Sequence, residues 1–136
     1  MIEIQSRPVQ NTTVTVPGSK SYTHRALIVS ALSDGECEIQ NGLDSEDTRL
    51  TRDALHKMGI LIDQGPASWR VRGGYGILQP CAGPIFLGNS GTSMRLLAAV
   101  CALGKGKYIL TGTRRMQERP ILDLLEGLHQ LGVRTE

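Results

Sequence analysis

The chain has 136 residues, 40% hydrophobic and 21% charged, a balance that excludes an intrinsically disordered segment and suits one domain. Its net charge of +2, from 15 basic and 13 acidic residues, is too even for a nucleic-acid module, and 4% aromatics leaves few stacking platforms for single strands. No run approaches the roughly 18 apolar residues a bilayer-spanning helix needs, the first residues lack a signal-peptide layout, and three cysteines without a CxxC pair (Cys37, Cys81, Cys101) point to a reducing cytoplasm.

Residues 2–16 alternate and are rich in Val and Thr, which predicts a strand. Pro17-Gly18-Ser19 is a turn leading into a helix over 20–32, whose apolar members Ala26, Leu27, Ile28, Ala31 and Leu32 keep helical spacing. A short strand over 37–40 and a second helix over 45–58 follow; Asp44-Ser45-Glu46-Asp47 supplies caps and acidic charge for the positive end of that helix, and Gly59 stops it. Strands are predicted over 60–63 and 69–72, then over 85–87. Gly88-Asn89-Ser90-Gly91 reads as a turn into an apolar, largely buried helix over 92–103, followed by a strand over 108–110 and a helix over 120–131 that Gly132 ends.

The order of elements repeats. Ala54-Leu55-His56-Lys57-Met58-Gly59-Ile60 matches Gly127-Leu128-His129-Gln130-Leu131-Gly132-Val133 at a distance of 73 residues, and Ser21-x-x-x-Arg25 matches Gly91-x-x-x-Arg95 at 70. A period near 70 built of strand, helix, strand, helix and strand is a repeat signature, and such units must pack on one another to cover their faces. The second copy reaches Glu136 where its closing strands would begin, so the chain is expected to be cut within a repeat.

Three glycine-containing loops carry the candidate chemistry. In Gly18-Ser19-Lys20-Ser21-Tyr22-Thr23-His24-Arg25, a small-residue turn opens a helix, leaving N–H groups and the dipole to favour an anion that Lys20, Ser21 and Arg25 could reach. The alternative is a well-capped helix with solvated cations; a Walker A loop is excluded because Thr13 stands where its first glycine would fall. In the second loop, Asn89, Gly91 and Thr92 surround a helix start whose only charge is Arg95. Buried, that guanidinium would need a carboxylate such as Asp47 or Glu118, or an anionic ligand, and with no acidic residue within one turn the ligand is favoured. The third loop, Thr111 through Pro120, crowds Arg114, Arg115 and Arg119 around Glu118. Three cationic loops from a repeated unit can face one mouth suited to a small molecule with several negative charges. His24, His56 and His129 lack metal-ligand spacing, no G-x-S-x-G elbow or Cys–His pair is present, and no carboxylate pair is poised for acid–base work. The residues by themselves lead to polyanion binding and stop short of a reaction.

The stretches Pro17 through Leu27, Asp44 through Thr48, Leu87 through Leu96 and Arg115 through Ile121 resemble, in order, the 5-enolpyruvylshikimate-3-phosphate synthase (3-phosphoshikimate 1-carboxyvinyltransferase) family. The resemblance implies an α+β fold of α/β repeat type, with βαβαββ units forming two lobes. Residues 1–16 would be a strand packing with the other lobe, and 17–136 part of the N-terminal lobe, with units at 17–76 and 84–136. It implies transfer of the enolpyruvyl group of phosphoenolpyruvate to the 5-hydroxyl of shikimate 3-phosphate with release of phosphate, in cytoplasmic aromatic amino acid biosynthesis by way of chorismate, without metal or organic cofactor. Lys20 would be catalytic, contacting phosphoenolpyruvate and stabilising transition-state charge, and would bind shikimate 3-phosphate with Ser21 and Arg25. Asn89, Gly91, Thr92, Arg95 and Arg115 would line the phosphoenolpyruvate site. A methyl group at Gly91 would crowd that site and alter sensitivity to the inhibitor glyphosate. Leu96 departs from the family, where many members carry proline. The acid–base residues would lie in sequence absent here, in the remainder of the parent chain, so this chain alone is expected not to turn over. Rival readings are a UDP-N-acetylglucosamine enolpyruvyl transferase, which typically carries a cysteine in the loop matching 113–118, a non-catalytic anion-binding module, and an RNA-binding domain that the modest charge disfavours.

Overall fold

A computed structural model describes residues 2–8, 11–66 and 68–136. The elements run α1 (Lys20–Leu32), β1 (Glu36–Gln40), α2 (Glu46–Lys57), β2 (Leu61–Gln64), β3 (Ser68–Arg72), β4 (Ile85–Phe86), α3 (Gly91–Cys101), β5 (Leu110–Thr111), α4 (Arg114–Gln117) and α5 (Leu122–Gln130). Strand β3 is central in an antiparallel sheet of order β1-β3-β2, with Ile39 opposite Trp69 and both Cys37 and Ile62 opposite Val71. A separate parallel pair, β4 and β5, is joined through α3.

Alternation puts Trp69 and Val71 of β3 on one face, and both are buried there. They meet Leu27 and Ala31 of α1, Ala54 and Leu55 of α2, and Leu97 and Val100 of α3 in one apolar cluster. Helix α1 packs on β1 and β3 and against α2 and α3, while α2 touches α3, β2 and β4.

The matched heptapeptides end their helices in the same way. Gly59 and Gly132 have φ of +90° and +83°, a left-handed conformation that glycine adopts without strain. Ile60 N donates to Leu55 O at 3.1 Å, and Val133 N to Leu128 O at 3.0 Å.

Several expectations need correction. Among the described residues of 2–16 there is no strand, and Val9 and Gln10 lie outside the described residues. Val and Thr favour a pleated surface only where a neighbouring strand completes the ladder, and among the described residues no strand pairs with this segment. The strand expected over 108–110 forms at Leu110–Thr111, where Leu87 N reaches Thr111 O at 2.7 Å. The arginine loop contains a helical turn, α4, capped by Thr113. Helix α3 buries only Ser93, Leu97 and Val100. Its Met94, Ala98 and Cys101 instead line a cavity of about 920 Å³ beneath Leu125 and Leu128 of α5.

Leu55 is fully buried in the central cluster. Truncation to alanine should cost about 2–5 kcal/mol, read as a lower urea midpoint with an unchanged slope; a cost under about 1 kcal/mol would place the core elsewhere.

Candidate functional site

The first loop is pinned by close backbone approach. A Cβ on Gly18 would lie 2.1 Å from Asn41 O, so only glycine fits. Ser19 accepts from Tyr22 N at 3.4 Å as the α1 cap. Thr23 Oγ1 donates to Ser19 O at 2.8 Å and accepts from Leu43 N at 2.9 Å, tying the start of α1 to the chain entering α2. There Ser45 and Thr48 form a capping box.

These caps bring Lys20 beside the first turn of α2, where its Nζ lies 3.0 Å from Asp47 Oδ2. Asp44 is taken by Arg49, whose fork makes two bonds of 2.7 Å and holds the Asp44 carboxyl below its ordinary range. Arg25 turns back along α1 to Ser21, donating to its carbonyl oxygen at 3.0 Å and contacting its hydroxyl. Lys20, Ser21 and Arg25 are all exposed.

The second and third loops are zipped together beyond β4 and β5, with Thr113 N donating to Gly88 O at 2.9 Å. Ser90 caps α3 through Ser93 N. Arg95 is exposed rather than buried, since it points out of the half-covered helix, and it pairs with neither Asp47 nor Glu118. Its Nη2 donates to Pro120 O at 2.8 Å and its Nη1 to Gly91 O at 3.3 Å. Arg119 reaches the same place from the other side, donating to Asn89 O at 3.4 Å. A Cβ on Gly91 would sit 2.8 Å from Arg119 Nη1 and 3.0 Å from Arg95 Nη1. Two guanidinium groups thus crowd the positive end of α3, and among the described residues neither has a carboxylate within ion-pair distance.

The three helix starts are joined underneath. Thr51 of α2 donates to Ser93 of α3 at 2.8 Å, and Ser93 Oγ donates to Asp47 O at 3.3 Å. His24 of α1, fully buried, meets Thr51 Oγ1 through Nδ1 at 2.8 Å. Lys20, Asp47, Ser93, Gly91, Arg95 and Arg119 therefore form a connected series along one edge. It is an open face: the 920 Å³ cavity is lined by Arg95 and Arg119 but not by Lys20, Ser21, Arg25 or Arg115. Arg115 is exposed on α4 and makes no ion pair among the described residues. Asn89 is exposed and Thr92 half-buried at the start of α3.

Asp47, Arg119 and His24 were not among the site residues picked from the motifs. The signal for Arg119 was its place in the arginine-rich loop, and for Asp47 its place in the acidic first turn of α2. His24 had no local signal, because its burial comes from α2 and α3. Burial pushes the thiols of Cys81 and Cys101 up, Cys101 to about 12, so neither is a ready nucleophile near neutrality. No group of three His, Cys, Asp or Glu side chains among the described residues is placed to hold a metal ion, and no described helix is long and apolar enough to cross a membrane.

Burial lowers the pKa of His24 below its ordinary 6.5, opposed by Asp47 and aided by Lys20 and Arg25. The unfolded chain then takes up the proton first as pH falls, so stability is intact above about 6.5 and declines below it. Urea midpoints measured from pH 7.5 down to about 5.5 should fall more steeply for the native sequence than for His24→Asn; parallel profiles would mean that the ring titrates freely.

Comparison with known proteins extends this geometry. The sequence model of the EPSP synthase (3-phosphoshikimate 1-carboxyvinyltransferase) family matches residues 4–136. The chain is 45% identical over 125 residues to the 3-phosphoshikimate 1-carboxyvinyltransferase of Ralstonia pickettii, covering 91% of this chain and 29% of that protein. It is 47% identical over 120 residues to the protein of that name from Methanospirillum hungatei, covering 88% and 28%. Its structure is similar to that of an EPSP synthase from Acinetobacter baumannii, with a TM-score of 0.84 and 31% identity over 89% of this chain and 28% of that one. The chain spans about 30% of the length of the curated relatives it matches.

Proposed function

This chain belongs to the EPSP synthase (3-phosphoshikimate 1-carboxyvinyltransferase) family, and from that premise we propose that its joined helix starts form part of a site for enolpyruvyl transfer. The reaction moves the enolpyruvyl group of phosphoenolpyruvate to the 5-hydroxyl of shikimate 3-phosphate and releases phosphate. The observation that carries this reading is the pair of guanidinium groups at Gly91, without a carboxylate ion pair among the described residues and linked through Ser93 and Asp47 to Lys20.

Both substrates are multiply charged anions, and the residues divide between them. Ser21 and Arg25, already in contact on α1, take shikimate 3-phosphate. Asn89, Gly91, Thr92, Arg95 and Arg115, joined by Arg119, take phosphoenolpyruvate at the start of α3. Lys20 serves both. Its pair with Asp47 is half-exposed, and such pairs are worth about 1 kcal/mol or less, so a phosphorylated ligand can draw the ammonium away. The 5-hydroxyl adds across the enol double bond, oxygen to C2 and a proton to the methylene carbon, giving a tetrahedral intermediate; loss of phosphate from C2 and of a proton from the new methyl group re-forms the double bond as the enol ether. Charge builds on the phosphate as it leaves, and fixed cations and helix N-termini stabilise it without reorganising. Glyphosate, an anion of similar size, would compete for the phosphoenolpyruvate part. The free cysteines suit a cytoplasmic setting, and residues 17–136 would form part of one lobe.

Calorimetric titration tests the reading. Shikimate 3-phosphate should bind the chain, and Lys20→Ala or Arg25→Ala should each weaken binding about tenfold or more, the usual loss for a charge-assisted hydrogen bond. Absence of binding at millimolar ligand would refute the assignment. Gly91→Ala should push the Arg95 and Arg119 tips aside with the fold intact, weakening phosphoenolpyruvate and glyphosate while leaving shikimate 3-phosphate within about threefold. A phosphate-release assay with both substrates should give no steady turnover from this chain, since it spans about 30% of its relatives' length.

A further inference from the structure

Four buried side chains beneath the candidate site have no substrate to touch. His24, Thr51 and Ser93 are fully buried on α1, α2 and α3, and Ser90 is 1% exposed at the α3 cap. They form one chain of contacts: His24 Nδ1 to Thr51 Oγ1 at 2.8 Å, Thr51 Oγ1 to Ser93 Oγ at 2.8 Å, and Ser93 Oγ to Ser90 Oγ at 2.7 Å.

Counting protons orders the chain. Thr51 has a single hydroxyl proton and donates it to Ser93, so the hydrogen between the ring and Thr51 belongs to Nδ1. Ser93 gives its proton to Asp47 O at 3.3 Å, so Ser90 donates to Ser93 while accepting from Ser93 N at 3.4 Å. His24 is thereby held as the neutral Nδ1–H tautomer. Among the described residues its buried Nε2 lone pair has no partner, a penalty that an apolar side chain of similar size would avoid. What the ring supplies in return is a directed donor at the junction of three helices.

The spacing connects that donor to the candidate site. Lys20 and His24 are one turn apart on α1, and Asp47 and Thr51 are one turn apart on α2. The Lys20–Asp47 pair at the surface is thus repeated one turn below by His24–Thr51, which sets the register of α1 against α2. Ser93 then ties α3 to that register two residues from both Gly91 and Arg95. Resting on the reading of the site given above, we infer that His24 is a positioning residue, which acts through Thr51 and Ser93 to hold Gly91, Thr92 and Arg95 in register with Lys20.

The test uses the 136-residue chain with three variants. His24→Leu fills the space without a donor, His24→Asn restores a donor near Nδ1, and Thr51→Val removes the relay at nearly constant volume. Nitrogen-15 NMR of the native chain at neutral pH should find the proton of His24 on Nδ1; a ring protonated on Nε2 overturns the inference. His24→Leu and Thr51→Val should shift the amide resonances of Gly91, Thr92 and Ser93 while those of Val71 and Arg72 in β3 stay in place, and His24→Asn should return them. Unmoved α3 amides in Thr51→Val overturn it as well, even if His24→Leu fails to fold. Phosphoenolpyruvate titration should then weaken about tenfold in His24→Leu and recover to within about threefold in His24→Asn; equal affinity in all three contradicts the inference. If the native chain binds no phosphoenolpyruvate yet the resonances behave as stated, the substrate reading fails and the positioning role stands.

Discussion

The hydrogen bond from Thr51 to Ser93 joins the two copies of the repeated pattern, from the middle of α2 to the first turn of α3. Apolar packing of Leu27, Leu55 and Leu97 brings α1, α2 and α3 together, but such contact is tolerant of small slides along the helix axes. A buried hydroxyl is less tolerant, because displacing it leaves polar groups unpaired in a low-dielectric interior. With His24 on one side and Ser90 on the other, that bond sets the height of each helix start relative to the next. The surface cations inherit their spacing from it.

Charge is distributed unevenly over the resulting edge. Acidic partners are present at the α1 and α2 end, where Asp47 faces Lys20 and Asp44 is held by Arg49. At the α3 end, Arg95 and Arg119 lean on carbonyl oxygens alone. An anion arriving there meets a helix N-terminus and two guanidinium groups that have no carboxylate within ion-pair distance among the described residues, whereas at Lys20 it must displace an exposed and therefore weak ion pair. The edge is thus graded toward α3.

The two copies also differ. The first completes a three-stranded sheet over its helices, and Leu27, Leu55, Trp69 and Val71 are buried beneath it. In the second, Leu122 of α5 and Leu131 just after it are largely exposed, and a cavity is lined by residues of both α5 and α3. The same helix-stopping turn nevertheless forms in both, at Gly59 and Gly132, because it depends on local backbone conformation rather than on what packs against it.

Much was legible in the residues alone. Helix α1 falls where its turn and apolar spacing predict, and the glycine stops, the serine caps and the cationic loops are local features written within a few positions of chain. The described residues of 2–16 form no strand, and Arg95 is not a buried charge, for one shared reason: pairing and burial are supplied by neighbours, and local propensity says nothing about whether those neighbours arrive. Arg119 belongs beside Gly91, and Lys20 beside Asp47, only once the helices have docked. His24 is the clearest case, an ordinary helical residue by spacing whose neutral state, single donor and place beneath three helix starts come from side chains 27 and more residues away.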